Sequence, residues 1–169
     1  EGSMEFGITT DSYDAQGAIT CRTNIPPLDC IKLNTLAQEF TGDIQQKPPM
    51  VSAVKKDGVP LYKLARKGKT IKREAKPVHI FSFEFSDYTQ PVGKFRVHCS
   101  KGTYVRSIAH ELGEKLTCGA HLRTLHRTDS GDFNIKDAIK LEELLELPDK
   151  ELTARVITLL ELTRILQPK

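Results

Sequence analysis

The sequence contains no long hydrophobic run. No window approaches the about 18 consecutive apolar residues that a membrane-spanning helix needs. The N-terminus, Glu1–Glu5, also lacks the basic stretch followed by an apolar segment that forms a secretory signal. These two absences favour a soluble protein, and we expect a cytoplasmic location with no membrane contact.

The usual signatures of metal and nucleophile chemistry are missing as well. The four cysteines are scattered without a Cys-x-x-Cys pair, so we expect free thiols. The five histidines show no His-Glu-x-x-His or His-x-His spacing, and we therefore predict no metal site. There is no Gly-x-Ser-x-Gly elbow and no glycine-rich nucleotide loop. Only Ser100–Thr103, between an expected strand and helix, offers a place for one phosphate, and a strand-to-helix turn without a ligand is the favoured alternative.

What is present is one domain's length of chain with an uneven charge. The 169 residues are 38% hydrophobic and 28% charged, which suits one globular domain with a small appendage. Residues 1–54 carry 3 basic and 7 acidic side chains, residues 55–127 carry 16 and 6, and residues 128–169 carry 6 and 9. The modest net charge of +3 thus conceals a middle of +10. Such a segment attracts a polyanion such as nucleic acid, although solvated lysine-rich surfaces are the alternative.

Hydrophobic periodicity predicts an α+β fold with a mostly antiparallel mixed sheet and a helical tail. Alternation predicts strands at residues 4–10, 18–23, 51–55, 78–88, 94–99 and 120–128. Helical spacing predicts helices at residues 28–40, 60–67, 103–116 and 134–147, and a final one at 152–166. Residues 45–49, with two prolines, are expected to form a stiff loop, and Thr103 is the expected N-cap of its helix.

The most informative local stretch is Ser100–Ser107, which places two cations, an aromatic residue and a glycine at a strand–helix junction. Arg106 lies one turn into the expected helix, among the largely apolar Tyr104, Val105 and Ile108. A partly buried arginine needs a carboxylate partner. Because no acidic residue is near it in sequence, we expect the partner to come from elsewhere in the fold.

Several stretches then match one family in order. They are Phe6–Asp11, Asp14–Gly17, Gln46–Lys55, Pro60–Arg66, Arg73–Val78, His98–Arg106, Leu112–Leu116 and Cys118–Arg127. Together they resemble the TruB-type tRNA pseudouridine synthases, which isomerise one uridine in the T-loop of transfer RNA. The resemblance covers about residues 2–147. It implies a pseudouridine synthase fold, with residues 1–133 as a partial catalytic domain and residues 134–169 as a helical C-terminal segment.

The resemblance also implies site residues. The family's catalytic aspartate stands in a Gly-x-Leu-Asp-Pro motif that this sequence lacks, so no aspartate here is assigned as the nucleophile, and we expect this chain alone to be inactive. Arg106 matches the arginine that pairs with that aspartate, Tyr104 a tyrosine against the target uracil, and Leu125 a leucine of the same pocket. An arginine beside a carboxylate favours its charged form. No cofactor is implied.

The basic segment matches the family's RNA-binding insertion, here residues 44–77. The residues expected to contact RNA are Lys55, Lys63, Arg66, Lys69, Lys72, Arg73 and Lys101. Phosphate contacts of this kind position the RNA and weaken with salt. The implied partner is tRNA, through its T-arm at position 55, and we expect a monomer. A non-catalytic RNA-binding module is the alternative function.

Overall fold

The computed structural model describes residues 1–165 and divides the chain into two compact units, residues 1–126 and residues from 127 onward. In chain order the strands and helices are β1 (Gly2–Phe6), β2 (Ile8–Thr10), β3 (Ile19–Arg22), α1 (Cys30–Gln38), β4 (Gly42–Gln46), β5 (Lys55–Lys56), β6 (Val59–Pro60), α2 (Leu61–Ala65), β7 (Lys76–Thr89), β8 (Val92–Cys99), α3 (Val105–Lys115), β9 (Ala120–Leu125), β10 (Asp129–Ser130), β11 (Phe133–Asn134), α4 (Leu141–Leu145), α5 (Asp149–Arg155) and α6 (Leu159–Ile165). None of these helices is long and apolar enough to span a bilayer.

A five-stranded sheet organises the first unit. Its order is β4–β7–β8–β1–β9, and every neighbouring pair is antiparallel. The predicted α+β class with a mostly antiparallel sheet is therefore confirmed. Two small antiparallel pairs, β2 with β3 and β5 with β6, lie outside this sheet.

The core lies on one face of the sheet. In β7, buried Phe83 and Phe85 alternate with exposed Glu84, as expected for a strand with one face in water. Helices α1 and α3 cover the buried face, where Leu33 and Ile108 join the same hydrophobic cluster. The two helices thereby fix where the residues at their ends lie relative to the sheet.

Helix α3 approaches the sheet closely at Gly113. A Cβ at this position would clash with the backbone of Ala120 at the start of β9. The glycine therefore allows contact between helix and strand that a larger residue would prevent. The N-terminal turn of α3 lies beside the loop that follows β2, where Arg106 bonds Asp14.

Two predictions around residues 45–55 are wrong. Residues 42–46 form strand β4 on β7, where only a loop was expected from residue 45. Residues 51–54 form no strand; Leu61 and Tyr62 donate their backbone N–H groups to the Val54 and Ser52 carbonyls instead. The residues of β4 are mostly polar and do not alternate between polar and apolar, so the sequence pattern does not predict this edge strand, which forms through tertiary contacts with β7.

The expected N-cap of α3 is also wrong. Thr103 donates its hydroxyl to the Ser100 carbonyl, and Tyr104 occupies the N-cap position. A buried side chain from β4, Gln46, bonds Tyr104 instead of a local serine or threonine cap. The start of this helix is thus determined by a contact between segments far apart in the sequence.

The second unit contains the β10–β11 hairpin, a 3₁₀ turn at Ile135–Asp137 and helices α4 to α6. Asn134 accepts a bond from the Lys136 N–H and caps only the 3₁₀ turn. The single helix predicted over 134–147 is wrong, since Ala138 is extended and α4 spans only Leu141–Leu145. The single final helix predicted over 152–166 is wrong within the described residues, since Val156 is extended and separates α5 from α6. Thr158 and Glu161 bond each other's backbone N–H groups, a capping box that begins α6. Leu166, the last residue of the predicted helix, lies outside the described residues.

Candidate active site and RNA-binding surface

The loop between β2 and β3 places an aspartate beside α3. Asp11 begins the loop and accepts a bond from the Ala18 N–H at 2.9 Å. Leu122 of β9 donates its N–H to the Tyr13 carbonyl and accepts from the Ala15 N–H, both at 2.9 Å. These bonds attach the loop to the sheet on both sides of Asp14, so its carboxylate has a defined position.

Arg106 finds its partner in this loop. Its Nη1 donates to Asp14 Oδ2 at 2.9 Å, and its Nη2 donates to the Val51 carbonyl at 2.9 Å. Each side chain of the pair is 24% exposed. The expectation of a carboxylate from a distant part of the fold is met within this chain, by an aspartate that the sequence alone explains as a turn residue.

The charge of Asp14 is well supported. Burial raises the pKa of this carboxyl, but bonds from the Ser12 hydroxyl at 2.6 Å and the Gln16 N–H at 3.1 Å, together with Arg106, outweigh it. The pKa of Asp14 therefore lies below its ordinary value of 3.8. An ionised Asp14 in turn keeps the Arg106 guanidinium paired.

The backbone of Tyr104 is bonded by a side chain of β4. The Gln46 side chain, only 2% exposed, accepts from the Tyr104 N–H at 2.7 Å and donates to the Tyr104 carbonyl at 3.1 Å. Ser107, one turn into α3, donates its hydroxyl to the Lys47 carbonyl. A side-chain amide that bonds both backbone groups of one residue fixes its orientation. Since Gln46 occupies the Tyr104 N–H, that N–H is not open to the phosphate considered at Ser100–Thr103.

Tyr104 and Arg106 share a cleft of about 540 Å³. Its lining residues come from the 11–17 loop, the 51–53 segment, α2 and the start of α3: Asp11, Val51, Ser52, Ala53, Tyr62, Ala65, Arg66, Tyr104 and Arg106. Ser52 is 6% exposed, and its hydroxyl has no hydrogen-bond partner within residues 1–165. The cleft thus combines a paired cation, two tyrosines and a buried hydroxyl.

Leu125 lies elsewhere. It is 52% exposed and lines a second cleft of about 600 Å³ with residues of the exposed sheet face, among them Lys94 and Arg96. The structure therefore brings together two of the three expected pocket residues. Leu125 ends β9 and does not line the cleft that holds Tyr104 and Arg106.

A ring contact that the sequence reading missed supports the same loop. His110 lies one turn after Arg106 on α3 and stacks on Tyr13, with ring centroids 3.8 Å apart and planes 9° from parallel. Burial lowers the pKa of His110; Glu114, 3.5 Å away, raises it in part, and Arg73 lowers it further. The i, i+4 spacing of Arg106 and His110 is a signal that could have shown that both face one loop.

Most of the expected RNA-binding residues are exposed. Lys55, Lys63, Arg66, Lys69, Lys72 and Lys101 face solvent, and none forms a salt bridge in the described part of the chain. The Arg66 guanidinium also lies over the Tyr62 ring, 5.5 Å from its centroid. Arg73 differs, because it is half-buried and donates to the Pro48 carbonyl at 3.0 Å. Its structural bond gives it a role in holding the proline segment.

Among residues 1–165, no three histidine, cysteine or acidic side chains lie close enough together to hold a metal ion. All four cysteines carry free thiols. The cleft shared by Tyr104 and Arg106 is lined by two guanidinium groups, two tyrosine rings, the Ser52 hydroxyl and the Asp11 carboxylate.

Comparison with known proteins decides the family. Residues 1–105 match the model for the N-terminal domain of TruB family pseudouridylate synthases, and residues 106–169 match the model for the tRNA pseudouridylate synthase B C-terminal domain. The chain belongs to the TruB family. The resemblance on which Arg106 and Tyr104 were singled out is thereby confirmed at the level of the family, while their individual roles remain predictions.

Relatives of this TruB chain include tRNA pseudouridine synthase B of Opitutus terrae, 45% identical over 157 residues, which cover 93% of this chain and 65% of the relative. The protein of the same name from Francisella tularensis is 44% identical over 155 residues, covering 91% of this chain and 51% of the relative. The chain thus spans about half to two thirds of the length of these curated relatives.

Solved structures share the TruB chain's fold. One of a Cbf5-Nop10-Gar1 complex aligns with a TM-score of 0.56 at 25% identity, over 85% of this chain and 34% of that one. Another, of an H/ACA RNP bound to a substrate RNA containing 2′-deoxyuridine, aligns with a TM-score of 0.54 at 21% identity, over 86% and 32%. The pseudouridine synthase fold predicted from the sequence is confirmed.

Proposed function

We propose that this chain is part of a tRNA pseudouridine synthase that converts uridine 55 in the T-loop of tRNA to pseudouridine. The observation that carries the proposal is the cleft lined by Tyr104 and by Arg106, whose guanidinium is paired with Asp14, in a chain of the TruB family. The protein acts as a monomer in the cytoplasm and binds the T-arm. It needs no cofactor, because the reaction only exchanges one bond of the base for another.

The reaction breaks the bond between ribose C1′ and N1 of uracil and forms a bond between C1′ and C5. C5 loses its proton and N1 gains one, so the atoms of substrate and product balance. A carboxylate nucleophile splits this change into two easier steps. Arg106 stabilises the anionic form of such a carboxylate, and Tyr104 offers a ring against which the extracted base stacks.

The nucleophile itself is assigned to an aspartate outside these 169 residues. Asp14 already accepts bonds from Arg106, Ser12 and Gln16. These bonds make its carboxylate less basic and restrict its movement, whereas attack on C1′ requires a basic carboxylate that can move. Asp14 instead sets the position of the Arg106 guanidinium. We expect the nucleophile to approach Arg106 from the open side of the cleft.

The exposed cations of the RNA-binding insertion support the choice of substrate. Lys55, Lys63, Lys69 and Lys72 are exposed and form no salt bridge with any of residues 1–165, and Arg66 adds a positive charge at the cleft beside Tyr62. Contacts from these side chains to phosphates position the RNA without reading its sequence. Selection of the target base then falls to the cleft.

Tritium release tests the proposal. The synthase that contains this chain is incubated with tRNA labelled at C5 of its uridines, and pseudouridine formation releases one tritium for each base converted. We expect release from wild-type protein and none from a transcript with cytidine at position 55. Loss of the Arg106 guanidinium in Arg106→Ala should reduce turnover far more than tRNA affinity, because the residue supports a charged nucleophile.

The 169-residue chain provides the matched control. It should bind tRNA but release no tritium, since the proposed nucleophile lies outside it. Turnover by this chain would overturn the assignment and place the nucleophile within these 169 residues. Binding without turnover by the longer protein would instead support the non-catalytic RNA-binding module.

A further inference from the structure

Tyr13 and Asp14, which are adjacent in one loop, contact two residues of α3 that lie one helical turn apart. Arg106 and His110 are four residues apart on α3 and therefore share a face. Arg106 bonds the Asp14 carboxylate at 2.9 Å, and His110 stacks on the ring of Tyr13, the residue before Asp14. The ring contact thus acts on the segment that carries the partner of Arg106.

The backbone of Tyr13 needs such support. Its φ of +67° lies in the left-handed region, which residues with a side chain rarely adopt outside well-determined sites. The Tyr13 carbonyl accepts from the Leu122 N–H at 2.9 Å, and its own N–H donates to the Thr10 carbonyl at 3.2 Å. These bonds hold the base of the loop, while the stacked ring holds the outer side of the turn against α3.

His110 contributes its ring face rather than its hydrogen bonds. Its Nδ1 is buried and has no partner within residues 1–165, and its Nε2 lies 3.5 Å from the exposed Glu114 carboxylate. An apolar side chain would fill this place without leaving a buried nitrogen unsatisfied. What histidine adds is a flat ring that lies within 9° of parallel to the ring of Tyr13.

We propose that Tyr13 and His110 are positioning residues of the synthase, whose stacked rings orient the 11–17 loop so that the Asp14 carboxylate meets the Arg106 guanidinium. The inference rests on the proposed function, because it treats this ion pair as part of the active site. The contact between Asp14 and Arg106 is sensitive to small movements: a shift of about 1 Å would break a hydrogen bond of 2.9 Å.

Kinetics of the synthase that contains this chain give the first test. We expect Tyr13→Ala to lower kcat by about tenfold or more while KM for tRNA changes by less than about twofold, as for misplacement without lost binding. Tyr13→Phe keeps the ring and should retain nearly full kcat. The control is His98→Ala, which removes a ring contact to Phe81 at 4.5 Å on the exposed sheet face and should leave kcat unchanged.

A double variant separates positioning from general support of the fold. If Tyr13 acts through Asp14, Tyr13→Ala should lower kcat no further once Asp14→Asn is present. Multiplying losses would overturn the proposal. So would a Tyr13→Ala protein that is less stable but keeps wild-type kcat, because that result describes a merely structural ring.

NMR titration of the Asp14 carboxyl carbon gives a reading that does not depend on turnover. In Tyr13→Ala the pKa of Asp14 should rise toward its ordinary 3.8 as the bonds from Arg106 and Ser12 weaken, and in Tyr13→Phe it should stay low. An unchanged Asp14 pKa in Tyr13→Ala would overturn the proposal. If wild-type protein releases no tritium yet Tyr13→Ala raises this pKa, the proposed function fails and the positioning role stands.

Discussion

Removing the Asp14 carboxylate should destabilise the chain by about 2–3 kcal/mol. Breaking an exposed ion pair costs about 0.2–1 kcal/mol, and removing one partner of a fully buried pair costs about 3–5 kcal/mol. Both Asp14 and Arg106 are 24% exposed, so the free-energy cost of leaving Arg106 unpaired lies between these two limits, at about 2 kcal/mol. Losing the bonds from Ser12 and Gln16 adds up to about 1 kcal/mol.

Urea unfolding of Asp14→Ala, Arg106→Ala and the double variant measures the pair directly. We expect a coupling energy of about 1–2 kcal/mol between the two sites. The matched pair is Lys115 with Glu39, at 2.7 Å but about half exposed, whose coupling should be below about 1 kcal/mol. High salt should weaken the exposed pair and leave most of the Asp14–Arg106 coupling, because buried charges are screened less.

The pH dependence of the same variants completes the test. Because the pKa of Asp14 is lowered in the fold, its stabilisation is fully present above 3.8 and is lost as the pH falls through the lowered value. Asp14→Asn should therefore lose stability near neutral pH and show a flatter acid limb than wild type. A coupling energy below about 0.5 kcal/mol, the level at which independent sites add, would refute the reasoning.

Three further predictions use other features of the structure. Ser52→Ala should leave the melting temperature unchanged or higher, because the buried Ser52 hydroxyl has no hydrogen-bond partner among residues 1–165. Ser107→Ala should lower the melting temperature because it removes the bond to the Lys47 carbonyl, and a drop for Ser52→Ala would contradict this reasoning. Burial lowers the pKa of His110, so the folded protein favours its neutral form, and wild-type stability should fall relative to His110→Gln as the pH drops below the ordinary pKa of 6.5. If the free energy of unfolding changed equally with pH in the two proteins, the prediction would be wrong. Charge reversal at Lys69 and Lys72 should weaken tRNA binding and reduce the salt slope by about 0.7–0.9 for each lost phosphate contact, and an unchanged slope would make them ordinary surface lysines.

The long strands could be predicted because their residues alternate between core and water. Val78 to Tyr88 reads as a strand, and β7 covers it, since a half-buried strand repeats every two residues. Strand β4 could not be found in this way. Its last residue, Gln46, is polar and yet buried, and the Tyr104 backbone that satisfies the Gln46 amide lies far along the chain.

The candidate site was predictable only in part. The apolar neighbours of Arg106 indicated a need for a carboxylate, and a carboxylate is there. Which one could not be read from the sequence, because Asp14 also fits an ordinary turn, and 92 residues separate it from Arg106. The stack of His110 on Tyr13 was hidden for the same reason, and Leu125 was expected beside Tyr104 but lines another cleft.

The sequence by itself determined the α+β class, the family resemblance, the basic middle segment and the presence of an arginine that needs a partner. These follow from composition, periodicity and ordered motifs, which are local properties of the chain. Only the tertiary structure decided that Asp14 is that partner, that Gln46 bonds the backbone of Tyr104, and that Arg73 is half-buried and bonds the Pro48 carbonyl. Each of these is a hydrogen bond between residues 25 or more positions apart, and local sequence patterns do not show which distant groups meet in the folded chain.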